Sequence, residues 1–583
     1  MKRNFWLIGV ATLALSACGN GDDSGSKAGS GDSAVSSAAL TAGKGSPFDK
    51  PFKLKSGEAF DVDGFLSAMG YDGPKPYGAA QFDDKLGATV LTDLRFDDGD
   101  GSIVTIEKAE LFGVSEDAIE AVRSGQAAID APFETVFRKV RLYGVDVDVD
   151  TNKDGDEVDL SSGSDEIEFS QTGAGDLDDL TMTFGGVEID RLKVRQGGIP
   201  DDLADAAAPA VFFNSFDLAG VYIKDANFAF SGQQTGALSW IAPDFRFVGI
   251  AGGKLGAIIV NDFEYSFRQS PEAMALALSS LGPQAEVLLN GPLGNILGLN
   301  GQRVKADTMT WKGIDFSGLM EWGLKGETPP TTATNLVSLG AGEIANYEQF
   351  IGDKRLMVAE KSTFAMDKFT WLIPNEITSD VKNAVYDLTA YVEDGDDATL
   401  TALTSRGLDN VKGDGFFEWN WNDKSGDSRL SYGGTTDKFA DFDLSMALGN
   451  LKFEDIATLI DTQDQAGILG LGSFDQAKLT LTDKNLLAVL YDVAAGQMGA
   501  GTGEDLRQSA PALLRVSGSQ FTSINPRFGG YLDALAAFLG AGGTLEISAA
   551  PDEAVPFAQL GIVSQTNPTT LPDVLNLTVT HKE

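Results

Sequence analysis

The sequence predicts a mainly β protein with a minority of helices: an extended antiparallel sheet or meander, followed by a helix-containing α+β C-terminal part. Three observations carry this expectation. Apolar residues recur at every second position in many short stretches, the period of a half-buried strand. Asp and Gly punctuate the intervals between those stretches, as turns require. Helical spacing is concentrated in the last hundred or so residues.

Taken in order, Val145, Val147 and Val149 alternate with Asp146, Asp148 and Asp150, which predicts a strand with one wet face. Leu180, Met182 and Phe184 repeat the pattern. Gly185 and Gly186 then predict a turn into Val187 and Ile189, hence a hairpin. Further strands are expected over 221–230, 263–267, 417–421 and 442–448. The series continues around Leu479 and Leu481, around Leu545 and Ile547, and over 575–579. Asp-Gly turns recur at 98–101, 154–155 and 394–395. A first helix is expected after Ser270, with Pro271 in its opening turn and Met274, Leu276 and Leu278 following. A second begins near Thr482 and carries Leu486, Leu487, Leu490 and Val493, and 506–514 and 531–539 read as two more. No fixed-period repeat supports a propeller or a regular solenoid.

At the start of the chain, Lys2 and Arg3 precede an apolar run from Phe5 to Leu15. The run is about half the ~20 residues that span a bilayer, which argues for a secretory signal over an anchor helix. It ends in Leu15, Ser16, Ala17 and Cys18, which resembles the lipobox of bacterial lipoproteins. The resemblance implies cleavage before Cys18, diacylglycerol on its thiol and acylation, palmitate included, of the new amine. By the enteric sorting rule, Gly19 implies the outer membrane of the cell envelope. A plain signal peptide is the competing reading. It would leave the only cysteine of the chain as a free thiol in an oxidising compartment.

The organisation expected is therefore a signal peptide over 1–17 and a lipidated cysteine with a flexible Gly/Ser/Asp linker over 18–46. A linker of that composition cannot bury enough surface to order itself. A β-rich body of one or two domains follows over 47–480, and the helix-containing part occupies 481–583.

Composition removes several functions. With 44 basic and 85 acidic residues the net charge is −41, which repels nucleic acid and anionic headgroups at a distance. His581 is the only histidine and lies two residues from the end, where chains usually fray. Ser-His-Asp, Cys-His and histidine-zinc chemistry are left without their parts. No phosphate-cradling glycine loop lies between a strand and a helix. The expectation is a protein that is not an enzyme.

Two features remain as candidate sites. Asp150, Asn152, Asp154 and Asp156, with Gly155, match the first half of a calcium loop, in which alternate oxygens converge on a hard cation. Ser161 stands where that loop carries a bidentate glutamate, and an acidic hairpin turn is the plainer explanation. The second feature is aromatic. Six tryptophans fall between Trp240 and Trp421, and Phe417, Trp419 and Trp421 share one face of a strand. With Trp311 and Trp371 they are candidates to line a ligand groove, against the plainer reading of a packed sheet face.

The stretches 439–490 and 543–579, with 442–450 and 474–481 at their centre, resemble uncharacterised β-rich envelope proteins of proteobacteria. Those are loosely similar to the AsmA-like group, which is associated with lipid handling between membranes. No functional residue carries over, and AsmA-like proteins are generally held by a transmembrane helix rather than by lipid. The leading expectation is a lipid-anchored envelope protein that binds a hydrophobic ligand or an envelope partner. The alternative is a structural or surface-interaction lipoprotein with an acidic, calcium-binding body.

Overall fold

The computed structural model describes residues 46–68, 71, 73–97, 102–124, 130–149, 177–197, 208–232, 236–268, 301–392, 395–462, 467, 470–498 and 501–583. Cys18, the calcium-loop candidates Asp150, Asn152, Asp154 and Asp156, the turn at 98–101, Asp394 and the helix expected after Ser270 lie outside these residues. The protein is mainly β, built of antiparallel strands, with most helices in its C-terminal part. The chain divides into two compact units, Met1–Gly342 and Glu343–Glu583.

In the first unit, β1 (Ala79–Asp83), β2 (Ala88–Asp97), β3 (Ser102–Phe112), β4 (Phe133–Val149), β5 (Leu177–Arg195), β6 (Phe216–Gly232), β7 (Gly236–Ala251), β8 (Lys254–Arg268) and β9 (Gln302–Asp315) form a meander. Each strand pairs antiparallel with the next. Short helices α1 (Val62–Ala68), α2 (Glu116–Ser124), α3 (Ala208–Asn214) and α4 (Ser317–Gly323) fill the connections. Register aligns Leu111, Val140, Ile189, Val221, Phe247, Ile258 and Trp311 in one row across seven strands. Branched and aromatic side chains opposite one another are what stabilise a sheet face, and most of this row is buried.

The sheet carries a transverse crease. Asp93, Gly144, Asp225 and Asp262, on alternate strands, adopt left-handed φ values of 53, 57, 49 and 53°. Asp and Gly are the residues that tolerate this conformation. Across the line the buried apolar set changes parity: Ala109 and Leu111 on one side of it, Val104 and Ile106 on the other. The expected hairpin at Gly185 and Gly186 is therefore corrected: β5 runs unbroken through both. Neither glycine has a positive φ, which a two-residue hairpin turn demands. They are glycines because neighbours occupy the space. A Cβ on Gly185 would stand 2.8 Å from the Asp225 carboxylate, and one on Gly186 would stand 2.7 Å from the Phe48 ring.

The boundary falls inside β10 (Gly340–Ile351), and the second unit contains the rest of that strand with β11 (Lys354–Thr370), β12 (Ile373–Tyr386), β13 (Val411–Trp421), β14 (Ser428–Thr436), β15 (Ala440–Gly449), β16 (Ser473–Asp483), β17 (Thr544–Ala549), β18 (Val555–Pro556) and β19 (Leu577–Lys582). Strands β11 to β17 pair in order, β19 pairs with β17, and the short β18 extends along β16. Helices α5 (Asp397–Thr404) and α6 (Phe453–Thr462) sit between strands. Three longer ones follow: α7 (Leu486–Met498), α8 (Gly503–Thr522) and α9 (Arg527–Ala541). Two short ones, α10 (Phe557–Thr566) and α11 (Leu571–Val574), precede the last strand. Helix α8 starts earlier than its apolar spacing indicates because Thr502 and Asp505 form a reciprocal capping box.

The chain end is also corrected on two counts. Leu575 and Asn576 are not in a strand; Asn576 turns the chain at φ 45° and the strand starts at Leu577. The end does not fray, because β19 is paired along its length with β17 and His581 Nε2 lies 2.6 Å from the Gly542 carbonyl.

Candidate functional site

The sheet of the second unit is two-faced, and its pairing shows why. Phe417 on β13 stands opposite Tyr432, which stands opposite Leu444, Leu479, Ile547 and Val579 on successive partner strands. One pair further along, Ile377, Trp419, Leu430, Met446, Ala477 and Ala549 align in the same way. The intervening residues belong to the other face and are polar: Glu418, Ser431, Ser445, Lys478, Ser548 and Thr578. A strict two-residue period over six strands thus yields one continuous apolar face.

Among the described residues, helices pack on that face at its margins. Leu487 of α7 and Phe538 of α9 pack on Leu545, with Leu535, Leu539, Ile547 and Val579 around them. The Tyr491 hydroxyl donates to the Leu539 carbonyl at 2.9 Å and fixes α7 against α9. At another margin Leu403 of α5 and Val489 of α7 close over Val411. At the opposite end of β13, Phe453 of α6 lies edge-on to Trp421 at 6.3 Å, and Trp421 Nε1 donates to the Leu451 carbonyl at 2.8 Å.

Between these margins the floor is half-open. Phe417, Trp419, Leu430, Phe442, Leu444, Met446 and Leu479 are all only partly buried, and Tyr432 is 51 % exposed. The floor also has a pit. Gly415 and Gly434 face each other across β13 and β14, between Val381 and Phe442 in the same row. A Cβ on Gly415 would meet nothing closer than a backbone oxygen at 3.8 Å. Burial, and after it the neighbouring Tyr432, Asp414 and Tyr391, raises the Tyr386 pKa. Burial likewise raises Tyr391. These phenols stay uncharged at neutral pH, so this end of the face adds no charge to a site that is apolar in chemistry.

The aromatic candidates separate. Phe417 and Trp419 lie on the half-open floor. Trp421, on the same strand face, is buried and serves the margin. Trp371 occupies the turn between β11 and β12 at φ 57°. Trp311 belongs to the first unit, where it packs in the row with Ile258 and donates to the Leu339 carbonyl at 2.5 Å. Sequence reading missed Tyr432, Leu444, Met446 and the glycine pair. Tyr432 sits in Leu430-Ser431-Tyr432, whose alternation is legible in the sequence.

The first unit holds the other concentration of functional groups. Glu110, Arg141, Glu188, Tyr222 and Arg246 form one row across β3 to β7, and all five are buried. Arg141 Nε donates to Glu188 at 2.7 Å, and Lys139 pairs with the other oxygen of the same carboxylate. The remaining donors of Arg141 hold the chain that enters the body: Nη2 donates to the Pro47 carbonyl at 2.8 Å and Nη1 to the Lys50 carbonyl at 3.1 Å. The Phe48 ring fills the space over Gly186 and lies edge-on to Tyr143 at 5.2 Å. Burial, then the hydrogen bond to Glu110, pushes the Tyr143 pKa up to about 12. Every group in this row is engaged within the protein, so it is an internal fastening for residues 46–50 rather than a site for a ligand.

A family model described as an uncharacterized protein matches residues 435–582, which takes in the apolar face from β15 onward together with α6, α7 and α9 at its margin. None of the curated proteins matches the chain.

Proposed function

We propose that the protein is a lipid-anchored, non-enzymatic binding protein of the cell envelope, and that the apolar face of its second unit receives an acyl-chain ligand. The observation that carries this reading is the half-open floor. Monomeric proteins rarely leave a large contiguous apolar surface in water without a use for it. Here the surface is continuous across β12 to β16 and is bounded by helices at its margins. Binding pockets for apolar ligands are concave, apolar and largely pre-formed. The floor supplies flat aromatic side chains at Phe417, Trp419 and Tyr432, the flexible Met446, and a pit at Gly415 and Gly434. Thioethers and aromatic rings adapt to alkyl chains of varied shape. The lipobox-like ending at Cys18 and the linker up to 46 supply the address: a body tethered near lipid.

Native mass spectrometry of the full chain, released from membranes in mild detergent, tests the reading. The expected result is a bound lipid in addition to any covalent one, recovered by organic extraction. Gly415→Val places a branched side chain in the pit, its Cβ at an ordinary 3.8 Å contact with the Gly433 carbonyl oxygen, and suits a strand by propensity. It is expected to abolish the bound mass while leaving the thermal unfolding unchanged. A chain that carries no lipid and takes up none when vesicles are supplied overturns the proposal.

A further inference from the structure

We infer that the outward face of α8 rests on the headgroup region of a phospholipid bilayer. Helix α8 packs one side on α7 and α9: Gly518 is buried, and a Cβ there would stand 2.5 Å from Leu532 of α9. Its other side carries Leu513, 63 % exposed, Val516, 75 % exposed, and Phe521, 46 % exposed, with Ile524 just past the helix end at 54 %. Intervals of three, five and three residues keep these four on one broad side of the helix and its end. Apolar side chains of this size, this exposed and this close together mark an interaction surface.

Charge identifies the occupant. With 85 acidic residues in 583, an Asp or Glu falls about every seven residues, yet none lies between Asp505 and Asp533. That interval contains Arg507, Arg515 and Arg527, and its other polar residues are uncharged. Each arginine has an acidic neighbour at the rim: Glu504, Asp533 and Asp573 respectively. The Arg515 to Asp533 pair is more than half exposed on both sides, and pairs of that kind contribute little. A guanidinium this exposed is free to exchange the carboxylate for a lipid phosphate. In a body of net charge −41, this is an interval that carries three arginines and no carboxylate between Asp505 and Asp533. A long helix with an apolar face, small polar residues and arginine at the boundary is the composition of an interfacial helix. The inference stands apart from ligand binding, although α8 is the layer outside α7 and α9, which margin the apolar floor.

The test uses the full chain with Cys18→Ser, so that no lipid anchor contributes. An environment-sensitive fluorophore is attached to a cysteine introduced by Val516→Cys, and in a second sample by Glu418→Cys on the polar sheet face. Vesicles of phosphatidylethanolamine and phosphatidylglycerol are expected to blue-shift the probe at 516 and to leave that at 418 unchanged. Brominated lipid is expected to quench the first alone. Leu513→Asp with Val516→Asp, both at exposed positions that folding does not use, is expected to lower the vesicle-bound fraction by about tenfold or more in flotation. A probe at 516 that ignores vesicles overturns the inference. So does one that shifts with protein concentration in their absence, which would assign the stripe to a second copy of the chain. A chain that passes this test yet carries no lipid in native mass spectrometry would sink the ligand proposal and leave this one standing.

Discussion

At the scale of single residues, the buried charges of the first unit are the most sensitive points. Arg141 is the hub: it neutralises Glu188 and holds two backbone carbonyls of residues 46–50 at once. Removing one partner of a buried pair leaves the other uncompensated, which costs about 3–5 kcal/mol. Arg141→Met is expected to lower stability in urea by that order. It should also release residues 46–57 to protease before the sheet itself is cut; cleavage only upon global unfolding would contradict the role. Asp315, half-buried with an exposed lysine partner, is a second point. Burial alone would raise its carboxyl pKa, but Lys254 at 2.8 Å and the Ser317 hydroxyl and backbone N–H outweigh it, so the pKa lies below the usual carboxylate range. A lowered folded-state pKa contributes stability that is present above the unfolded value of about 3.9 and is lost as the pH falls through the folded value. Asp315→Asn is therefore expected to cost about 1 kcal/mol at neutral pH, since solvent screens a pair whose lysine is more than half exposed, and nothing at a pH below both values. Urea midpoints across that range check it.

At the scale of elements, the crease and the apolar floor show one device used for two ends. Glycines in strands weaken a sheet unless something else needs the space. In β5 the need is a carboxylate and the Phe48 ring. Gly186→Val improves strand propensity, yet it is expected to destabilise by about 1–3 kcal/mol because the ring must move. Adding Phe48→Ala should return part of that loss, a coupling that a double-mutant cycle measures. Gly415 is the opposite case: a Cβ there makes only an ordinary 3.8 Å contact with a backbone oxygen, so the same substitution is expected to be silent in stability and to act on binding alone. The alternation of β13 was legible in Phe417, Trp419 and Trp421. What it hid was that residues of one face meet different environments, the floor for Phe417 and Trp419 and the margin for Trp421, since that depends on where α6 and α7 pack.

At the scale of the whole molecule, charge dominates. A net charge of −41 on 61.5 kDa makes the compact state repel itself, and salt screens that repulsion over about 10 Å at 0.1 M ionic strength. The melting temperature is expected to rise with sodium chloride and to rise equally with magnesium chloride at matched ionic strength. An additional rise with calcium alone, lost on Asp154→Asn, would assign the 150–156 loop to that cation; equal curves for calcium and magnesium would assign it to an acidic turn. Among the described residues, no helix is long and apolar enough to cross a membrane; the bilayer contact proposed here is that of the outward face of α8.

The sequence by itself determined that the chain is mainly β, that its strands alternate, and that helices gather toward its end. Those properties are local: a two-residue period at Val145 to Val149, or helical spacing from Leu486, is written in neighbouring positions and needs no distant partner. It also determined the charge and the scarcity of histidine and cysteine. Only the tertiary structure decided that Gly185 and Gly186 lie inside a strand, because their reason is Phe48 and Asp225, which are remote in sequence. The same holds for the apolar floor. Which of Phe417, Trp419 and Trp421 meets solvent is set by helices 30 to 120 residues further along, and burial is a property of those long-range contacts rather than of the strand that carries the residue.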